Sequence, residues 1–315
     1  MAKNEMKNMI ENKPETEHKS TKKKKTPKLN LSDKMPLTFG GKVLLGVNYL
    51  LLILWVLAIL VPLFLTVKSA FNGNQSTRLN MSAPFVFSTK HFEHLFKETQ
   101  FLLWVKNTIF IAVATALLTL LFVSFTGYAY SRFRFKGRKA SLMTIMLLQT
   151  IPAFAGITAY FTIYTLISSK MPVFSRQMML ILIYSGGGIA GNTFILKGYL
   201  DSISTELDDA AKIDGLSYIQ IYRLIIMPIA KPMLAIIALW SFIGPFMDYL
   251  LPLVLLNSPA DYTLAPGLFY LISDLRNMNE PAFAAGGLLT ALPIVILFTA
   301  LQKQLVSGLA SGAVK

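Results

Sequence analysis

Six long apolar stretches constrain this chain more than any other feature of its sequence. A membrane-spanning helix needs about 20 mostly apolar residues to cross the hydrocarbon core, and each stretch is of that order. The stretches run from Val43 to Val67, Asn107 to Tyr130, Leu142 to Ile167, Met178 to Leu196, Met233 to Leu256 and Phe283 to Leu305. Three consecutive glycines, Gly186–Gly188, weaken the fourth. The sequence predicts an all-α membrane protein with six transmembrane helices.

The composition agrees with a membrane protein and excludes several kinds of active site. Hydrophobic residues make up 54% of the chain and charged residues 15%, where about a quarter of a soluble domain is charged. The chain contains no cysteine, which excludes disulfides, thiolate metal sites and a catalytic thiol. His91 and His94 are close in sequence, but two ligands alone make a poor metal site. We therefore expect no metal site in this chain.

The placement of lysine and arginine predicts the orientation in the membrane. Residues 1–40 are basic and include four consecutive lysines, Lys22–Lys25, and we expect a disordered cytoplasmic tail near anionic lipid. The connection at 131–141 is also rich in basic residues. Because cytoplasmic loops carry an excess of Lys and Arg, both termini are expected to be cytoplasmic. The net charge of +14 then indicates membrane anchoring rather than nucleic-acid binding.

The connection from Lys197 to Pro232 is the most informative, because it predicts two short helices joined by a glycine turn. Thr205 is expected to cap the first helix in a capping box with Asp208, three residues later. Gly215 is expected to end that helix, since glycine adopts the left-handed conformation at little cost.

The second helix of this connection is expected to begin after Ser217, with Gln220 completing a capping box, and to end near Pro228. The connection is acidic where positive charge is usual. Its carboxylates are Asp201, Glu206, Asp208, Asp209 and Asp214. An amphipathic linker on the membrane surface is one interpretation, but such helices favour Lys and Arg on the polar face. Docking to a soluble partner with a basic site is the sharper hypothesis.

At these residues the chain resembles the EAA loop of ABC importer permeases. The matching residues are ELDDAA (206–211), Asp214-Gly215, Ile225 and Pro228. In that family the loop seats in a cleft of the cytosolic ATPase subunit. The leading glutamate of the family's motif is Asp209 here, which keeps the charge on a shorter side chain.

Other segments resemble the carbohydrate branch of this family, and within it the MalG-type permease of maltose and maltodextrin importers. They are TGYAYSRFRFKGRK (126–139), NTFILKGYLDSIS (192–204), DYTLAPGLFY (261–270), FAAGGLLTALPIVILF (283–298) and LVSGLASGAVK (305–315). The resemblance implies a six-helix permease domain of the type I importer fold over residues 41–315, in a bacterial inner membrane, with its EAA coupling loop at 197–232.

The resemblance also implies partners: a second permease subunit, two copies of a cytosolic ATPase and an extracytoplasmic solute-binding protein. ATP and Mg²⁺ would be used by the ATPase, and this chain would bind no cofactor. It would need no catalytic residue and would not itself be an enzyme, and no Walker A pattern occurs in its sequence. The residues implied for ATPase coupling are Glu206, Asp209, Ala210, Ala211, Asp214 and Gly215. The connection at 257–282 would meet the binding protein.

Asp248 is an acid that the sequence places within or near the membrane. Such a residue either marks a translocation path or bonds backbone groups freed near Pro245 and Pro252. The alternatives to a maltodextrin permease are an importer of another oligosaccharide and, from other classes, a secondary transporter, a membrane-embedded enzyme or a channel-like scaffold.

Overall fold

The computed structural model describes residues 39–76, 78, 82–274 and 278–312 of the 315-residue chain. The predicted basic tail therefore falls almost wholly outside the described residues. The helices are α1 (Phe39–Phe71), α2 (Lys90–Glu98), α3 (Phe101–Arg132), α4 (Arg138–Leu148), α5 (Ile157–Lys170), α6 (Arg176–Asp201), α7 (Glu206–Ile213), α8 (Tyr218–Met247), α9 (Leu250–Leu255), α10 (Leu264–Ser273) and α11 (Glu280–Gly312). The prediction of an all-helical protein is confirmed for this part of the chain.

Five of the described helices are long and apolar enough to cross a membrane: α1, α3, α6, α8 and α11. Each overlaps one of the predicted stretches. α6 runs without interruption through Gly186–Gly188, so the three glycines do not break it. The helix of the fifth predicted stretch begins and ends earlier than predicted, because α8 runs from Tyr218 to Met247 and α9 is a separate helix.

The third predicted stretch is not one helix, so the expectation of a continuous helix from Leu142 to Ile167 is wrong. α4 ends at Leu148, a 3₁₀ turn occupies Ala153–Gly156, and α5 begins directly after it. Pro152 lies just before the turn. A proline lacks the backbone N–H and disfavours the helical conformation of the preceding residue, so the helix ends there.

The helix after the glycine turn does not end near Pro228 as predicted. It continues as α8, through a π-helical turn over Tyr222–Ile226. Pro228 lies immediately after this turn, where the regular hydrogen-bond ladder is already interrupted and a missing N–H costs little. The cap of this helix is confirmed in part, since the side-chain oxygen of Gln220 accepts a hydrogen bond from the Ser217 N–H at 2.8 Å.

α3 and α6 pack closely along each other because small residues lie between them. A Cβ added at Gly127 would lie 2.8 Å from the side chain of Leu196, so only glycine permits this approach. The hydroxyls of Thr126 and Thr193 form a hydrogen bond of 2.7 Å across the same interface. Small residues and hydroxyl pairs of this kind are typical of helix contacts within membranes.

Candidate coupling site

The residues predicted to couple to an ATPase lie on α7 and the turn that follows it. Five of the six are exposed to solvent: Glu206, Asp209, Ala210, Asp214 and Gly215. Ala211 faces the other way and is only 3% exposed. The structure thus brings the exposed five together on one short element, and Ala211 anchors that element to the core.

The turn after α7 confirms the prediction that Gly215 ends this helix. Its φ is +84°, in the left-handed region that a side chain disfavours. The Leu216 N–H donates to the Ala211 carbonyl and the Gly215 N–H to the Lys212 carbonyl, both at 3.0 Å, which is the Schellman arrangement of a helix end. An added Cβ at Gly215 would meet nothing within 4 Å, so the backbone conformation alone requires glycine.

The beginning of α7 differs from the prediction. The Thr205 backbone is already helical, with φ −68° and ψ −17°, and its side chain makes no capping bond. The hydroxyl of Ser204 instead accepts a hydrogen bond from the Glu206 N–H at 3.2 Å. Asp208 takes no part in a capping box, because its side chain points into the protein.

Asp208 forms a buried ion pair with Arg132, the last residue of α3. The Arg132 Nε and the Asp208 Oδ2 lie 2.5 Å apart, and the two side chains are 7% and 8% exposed. Neither carboxylate oxygen meets a donor in hydrogen-bond geometry among the described residues, so the contact is a close ion pair and not an aligned hydrogen bond. Loss of one partner from such a pair would leave the other charge buried and uncompensated.

Arg132 also holds the end of α6. Its Nη1 donates to the Leu200 carbonyl at 3.0 Å and its Nη2 to the Ile203 carbonyl at 3.2 Å. Carbonyls at a helix end lack partners within the helix, and a cation there is favourable. One guanidinium group therefore joins the end of α3, the end of α6 and α7. In the sequence, Arg132 is one of several basic residues in the connection at 131–141, and no local pattern distinguishes it from the others.

Aromatic side chains fix the start of α8 against the same end of α3. The rings of Tyr128 and Tyr222 have centroids 5.3 Å apart, as do those of Phe133 and Tyr218. The Tyr222 hydroxyl donates to the Ser124 hydroxyl oxygen at 2.8 Å. The ends of α3 and α6 and the start of α8 therefore all lie in the region around α7.

The exposed face of α7 carries a second charge pair. Asp209 Oδ1 accepts a hydrogen bond from Lys212 Nζ at 2.9 Å, and this hydrogen bond raises the pKa of Lys212. The two side chains are 68% and 44% exposed, so the contact lies in water, where such pairs contribute little to stability. The Asp209 carboxylate is therefore accessible to a partner protein.

Asp248 lies at the break between α8 and α9. Its Oδ1 accepts hydrogen bonds from the Leu250 and Leu251 N–H groups at 3.0 and 3.3 Å, so the predicted backbone role is present. Its Oδ2 accepts a hydrogen bond from the Tyr184 hydroxyl at 2.9 Å. Asp248 also borders a cavity of about 490 Å³, so the backbone role does not exclude a second one.

The connection at 257–282 contains α10 and is attached to the other end of α3. The Trp104 indole N–H donates to the Pro259 carbonyl at 2.7 Å, and the Leu264 N–H donates to the Thr108 hydroxyl at 2.7 Å. Gly267 lies against the Trp104 ring so closely that an added Cβ would be 2.3 Å from it. This connection is thus a positioned element with its own helix.

His91 and His94 have separate partners. His91 is buried, with Nε2 3.1 Å from the Asn72 carbonyl oxygen, and burial lowers its pKa. His94 Nδ1 lies 2.8 Å from the Glu98 carboxylate. In the part of the chain that the structure describes, His, Asp and Glu side chains form no group of three that would hold a metal ion.

Comparison with protein families gives one match over a large part of the chain. The model for the binding-protein-dependent transport system inner membrane component matches residues 123–311, which is more than half of the 315 residues. The chain belongs to this family. The match begins within α3 and includes α7, so the candidate coupling site lies inside the matched region.

Three curated relatives align with this permease over almost their full length. The maltodextrin transport system permease protein MdxG of Bacillus subtilis is 42% identical over 268 residues, which are 85% of this chain and 95% of the relative. The galactooligosaccharides transport system permease protein GanQ of the same organism is 41% identical over 271 residues, 85% and 94% of the two chains. The maltose/maltodextrin transport system permease protein MalG of Escherichia coli is 30% identical over 287 residues, 87% and 97%.

A solved structure shows that the permease has the fold of an ABC transporter subunit. It is the crystal structure of a bacterial ABC transporter involved in the import of the acidic polysaccharide alginate. The two chains superpose with a TM-score of 0.71 at 23% identity, over 85% of this chain and 99% of the other. At that identity the likeness concerns the fold alone.

Proposed function

We propose that this permease is one of two membrane subunits of an ATP-driven sugar importer and carries maltodextrin-type oligosaccharides into the cell. The substrate rests on its relatives: MdxG and MalG are named as maltodextrin and maltose/maltodextrin permeases, at 42% and 30% identity. The proposed mechanism rests on α7. Its acidic residues are exposed on one side, and on the other side its Asp208 forms a buried ion pair with Arg132.

In this proposal the chain crosses a bacterial inner membrane six times, with both termini in the cytoplasm. α4 and α5 together make the third crossing, broken near Pro152. A broken helix at membrane depth is tolerated where neighbouring protein or water satisfies its backbone. The remaining crossings are α1, α3, α6, α8 and α11.

α7 is the contact with the ATPase. Two ATPase subunits bind ATP and Mg²⁺, one engages this chain and the other engages the second permease. The exposed Glu206, Asp209 and Asp214 suit a basic cleft, and the accessible backbone at Ala210 and Gly215 permits close approach. Closure of the ATPase pair moves α7 as a rigid body, and Arg132 passes that movement to α3 and α6.

On the opposite side, the connection at 257–282 meets the solute-binding protein that delivers the sugar. Its position on α3, through Trp104 and Thr108, supports this role, because a surface held by a long helix can report binding to the rest of the bundle. Asp248, at the α8–α9 break, lines the translocation path.

Sugar uptake in cells tests the proposal. Radiolabelled maltose, maltotriose and longer maltodextrins are compared with raffinose and a galactose-based oligosaccharide, in cells with and without the gene. We expect selective loss of the maltodextrins and recovery with the wild-type gene. Recovery should fail with Asp209→Lys at normal membrane abundance. Unchanged uptake of every sugar would overturn the proposal.

Galactooligosaccharides are the second candidate substrate. GanQ is 41% identical to this chain, which is too close to the 42% of MdxG to separate the two by similarity. The same uptake panel separates them: loss of the galactose-based sugar alone would keep the importer mechanism and replace the substrate.

A further inference from the structure

A cavity of about 490 Å³ lies between the start of α5, the middle of α6 and the break between α8 and α9. Tyr160 comes from the start of α5, Tyr184 and Gly187 from the middle of α6, and Asp248 from the α8–α9 break. Sites for small molecules usually measure about 300–1,000 Å³ and combine apolar walls with a few placed polar groups. The cavity has that size and that kind of lining.

Among the residues that the structure describes, no side chain packs against Gly187 closely enough to require a glycine there. A glycine inside a helix costs about 1 kcal/mol relative to alanine, and an added Cβ at Gly187 would meet nothing within 4 Å. Its neighbour Gly188 differs, since a Cβ there would lie 3.2 Å from the hydroxyl of Thr119 on α3. Helix packing therefore explains Gly188, whereas Gly187 leaves the backbone open towards the cavity, as at sites where a ligand approaches closely.

Asp248 presents a fixed acceptor to the same space. Leu250, Leu251 and Tyr184 all donate to its carboxylate, which sets the orientation of both oxygens. An ionised carboxylate has about four acceptor sites and no donor, so one site remains for a hydroxyl. Such a group binds a hydroxyl-bearing ring and repels a second carboxylate.

Two tyrosines of the cavity lining provide aromatic surface for a sugar ring. Tyr160 and Tyr184 border the cavity with aromatic rings, which offer apolar faces to the C–H side of a sugar ring and hydroxyls at their edges. The Tyr184 hydroxyl is already bonded to Asp248. A neutral sugar unit, with an apolar face and a rim of hydroxyls, matches these groups better than a lipid chain or an ion.

We propose that this cavity is a binding subsite for one unit of a neutral oligosaccharide, and that Asp248 makes it reject sugars that carry a carboxylate. The subsite rests on the proposed function, because it needs an importer of oligosaccharides. It adds a selection by charge that belongs to this permease and is independent of the solute-binding protein.

Direct binding to the assembled complex, without the solute-binding protein, tests the subsite. The complex with its partner permease and ATPases is placed in lipid nanodiscs and titrated with maltotriose, and with a trisaccharide of the same length that carries one glucuronate. Gly187→Leu fills the cavity, and Gly198→Leu is its matched control, because Gly198 lies on the same helix and also has open space around it. Asp248→Asn keeps an acceptor oxygen for the backbone and removes the charge.

We expect Gly187→Leu to weaken maltotriose binding at least tenfold while Gly198→Leu binds as wild type. Asp248→Asn should bind the glucuronate sugar measurably, where the wild-type complex does not. Wild-type maltotriose affinity in Gly187→Leu, no gain of glucuronate binding in Asp248→Asn, or no binding by the wild-type complex would each overturn the subsite. Uptake in cells is read separately, so maltodextrin import with a failed binding result would reject the subsite and leave the proposed function standing.

Discussion

The two ends of α3 hold their neighbouring segments by different chemistry. At one end Trp104, Asn107 and Thr108 make neutral hydrogen bonds to backbone atoms between residues 259 and 264. At the other end the charged Arg132 contacts Asp208 and two carbonyls of the α6 end.

The two ends of α3 differ in how much stability is lost when a single contact is removed. A neutral hydrogen bond contributes about 0.5–1.5 kcal/mol, and several of them in parallel tolerate the loss of one. A buried ion pair tolerates no single loss, because the remaining charge stays buried without a partner. The neutral end should therefore tolerate the loss of a single contact, whereas the charged end should not.

The largest effect is expected from Arg132→Met. It leaves the Asp208 carboxylate buried without its counter-charge, so the free energy of unfolding should fall by about 3–5 kcal/mol. Denaturant unfolding of the purified complex, followed by the signal of this subunit, measures the change. The double variant Arg132→Met with Asp208→Leu restores an apolar contact and should recover more than half of the loss. Equal instability of the single and double variants would show that the pair is not the cause.

Gly267→Ala disturbs the neutral end. Its Cβ would lie 2.3 Å from the Trp104 ring, and forcing a group into a packed site costs about 1–3 kcal/mol. Hydrogen exchange should accelerate across α10 and leave α7 unchanged. Gly287→Ala is the control, since nothing lies within 4 Å of a Cβ there. Acceleration at α7 as well would mean that the two ends are not independent.

Gly215→Ala has a smaller effect at the charged end. Its φ of +84° places an alanine in the left-handed region, at a cost of about 1–2 kcal/mol. Gly198→Ala, in open space within a helix, should be neutral or stabilising. The difference between the two variants in thermal unfolding isolates the backbone conformation. If both variants behave alike, the Schellman turn does not limit stability.

The smallest effect is expected from Asp209→Glu. It lengthens an exposed side chain without changing its charge, so both stability and sugar uptake should remain at the wild-type level. Asp209→Lys should also fold normally, because the position is exposed, and yet abolish uptake through repulsion from a basic partner. Normal uptake in Asp209→Lys, at normal abundance, would remove Asp209 from the coupling contact.

Local rules predicted much of this permease correctly. Runs of apolar residues located its long helices, and the conformational preference of glycine located the end of α7 at Gly215. These features depend on neighbouring residues alone. The ATPase-coupling role of the exposed residues on α7 stays a prediction, which rests on one continuous segment and its resemblance to a family.

The ion pair could not be predicted in the same way. Asp208 sits three residues after Thr205, and that spacing is sufficient to explain it as a capping residue. Its actual partner, Arg132, lies in a different helix, and the pairing depends on how α3 packs against α6. Only the three-dimensional structure brings the two side chains together.

Prolines show the same limit. Pro152 lies at a real break between α4 and α5, whereas Pro228 and Pro245 are inside the continuous α8. The sequence rule treats all three alike. Whether a proline ends the helix depends on the surrounding backbone. The turn over Tyr222–Ile226, which precedes Pro228, is already irregular.

The π-helical turn also determines the rotation of the rest of α8 about its own axis. A π-turn contains one residue more than an α-turn, and each residue of an α-helix rotates the chain by about 100° and advances it by about 1.5 Å. That single inserted residue therefore determines the direction in which every side chain from Met227 to Met247 points around the helix axis. Deleting one residue from the turn would rotate the rest of α8 as a screw, turn the buried Phe246 out of the core and carry Asp248 away from Tyr184. The angular setting of α8 from Met227 to Met247 is thus determined by the π-helical turn near its start.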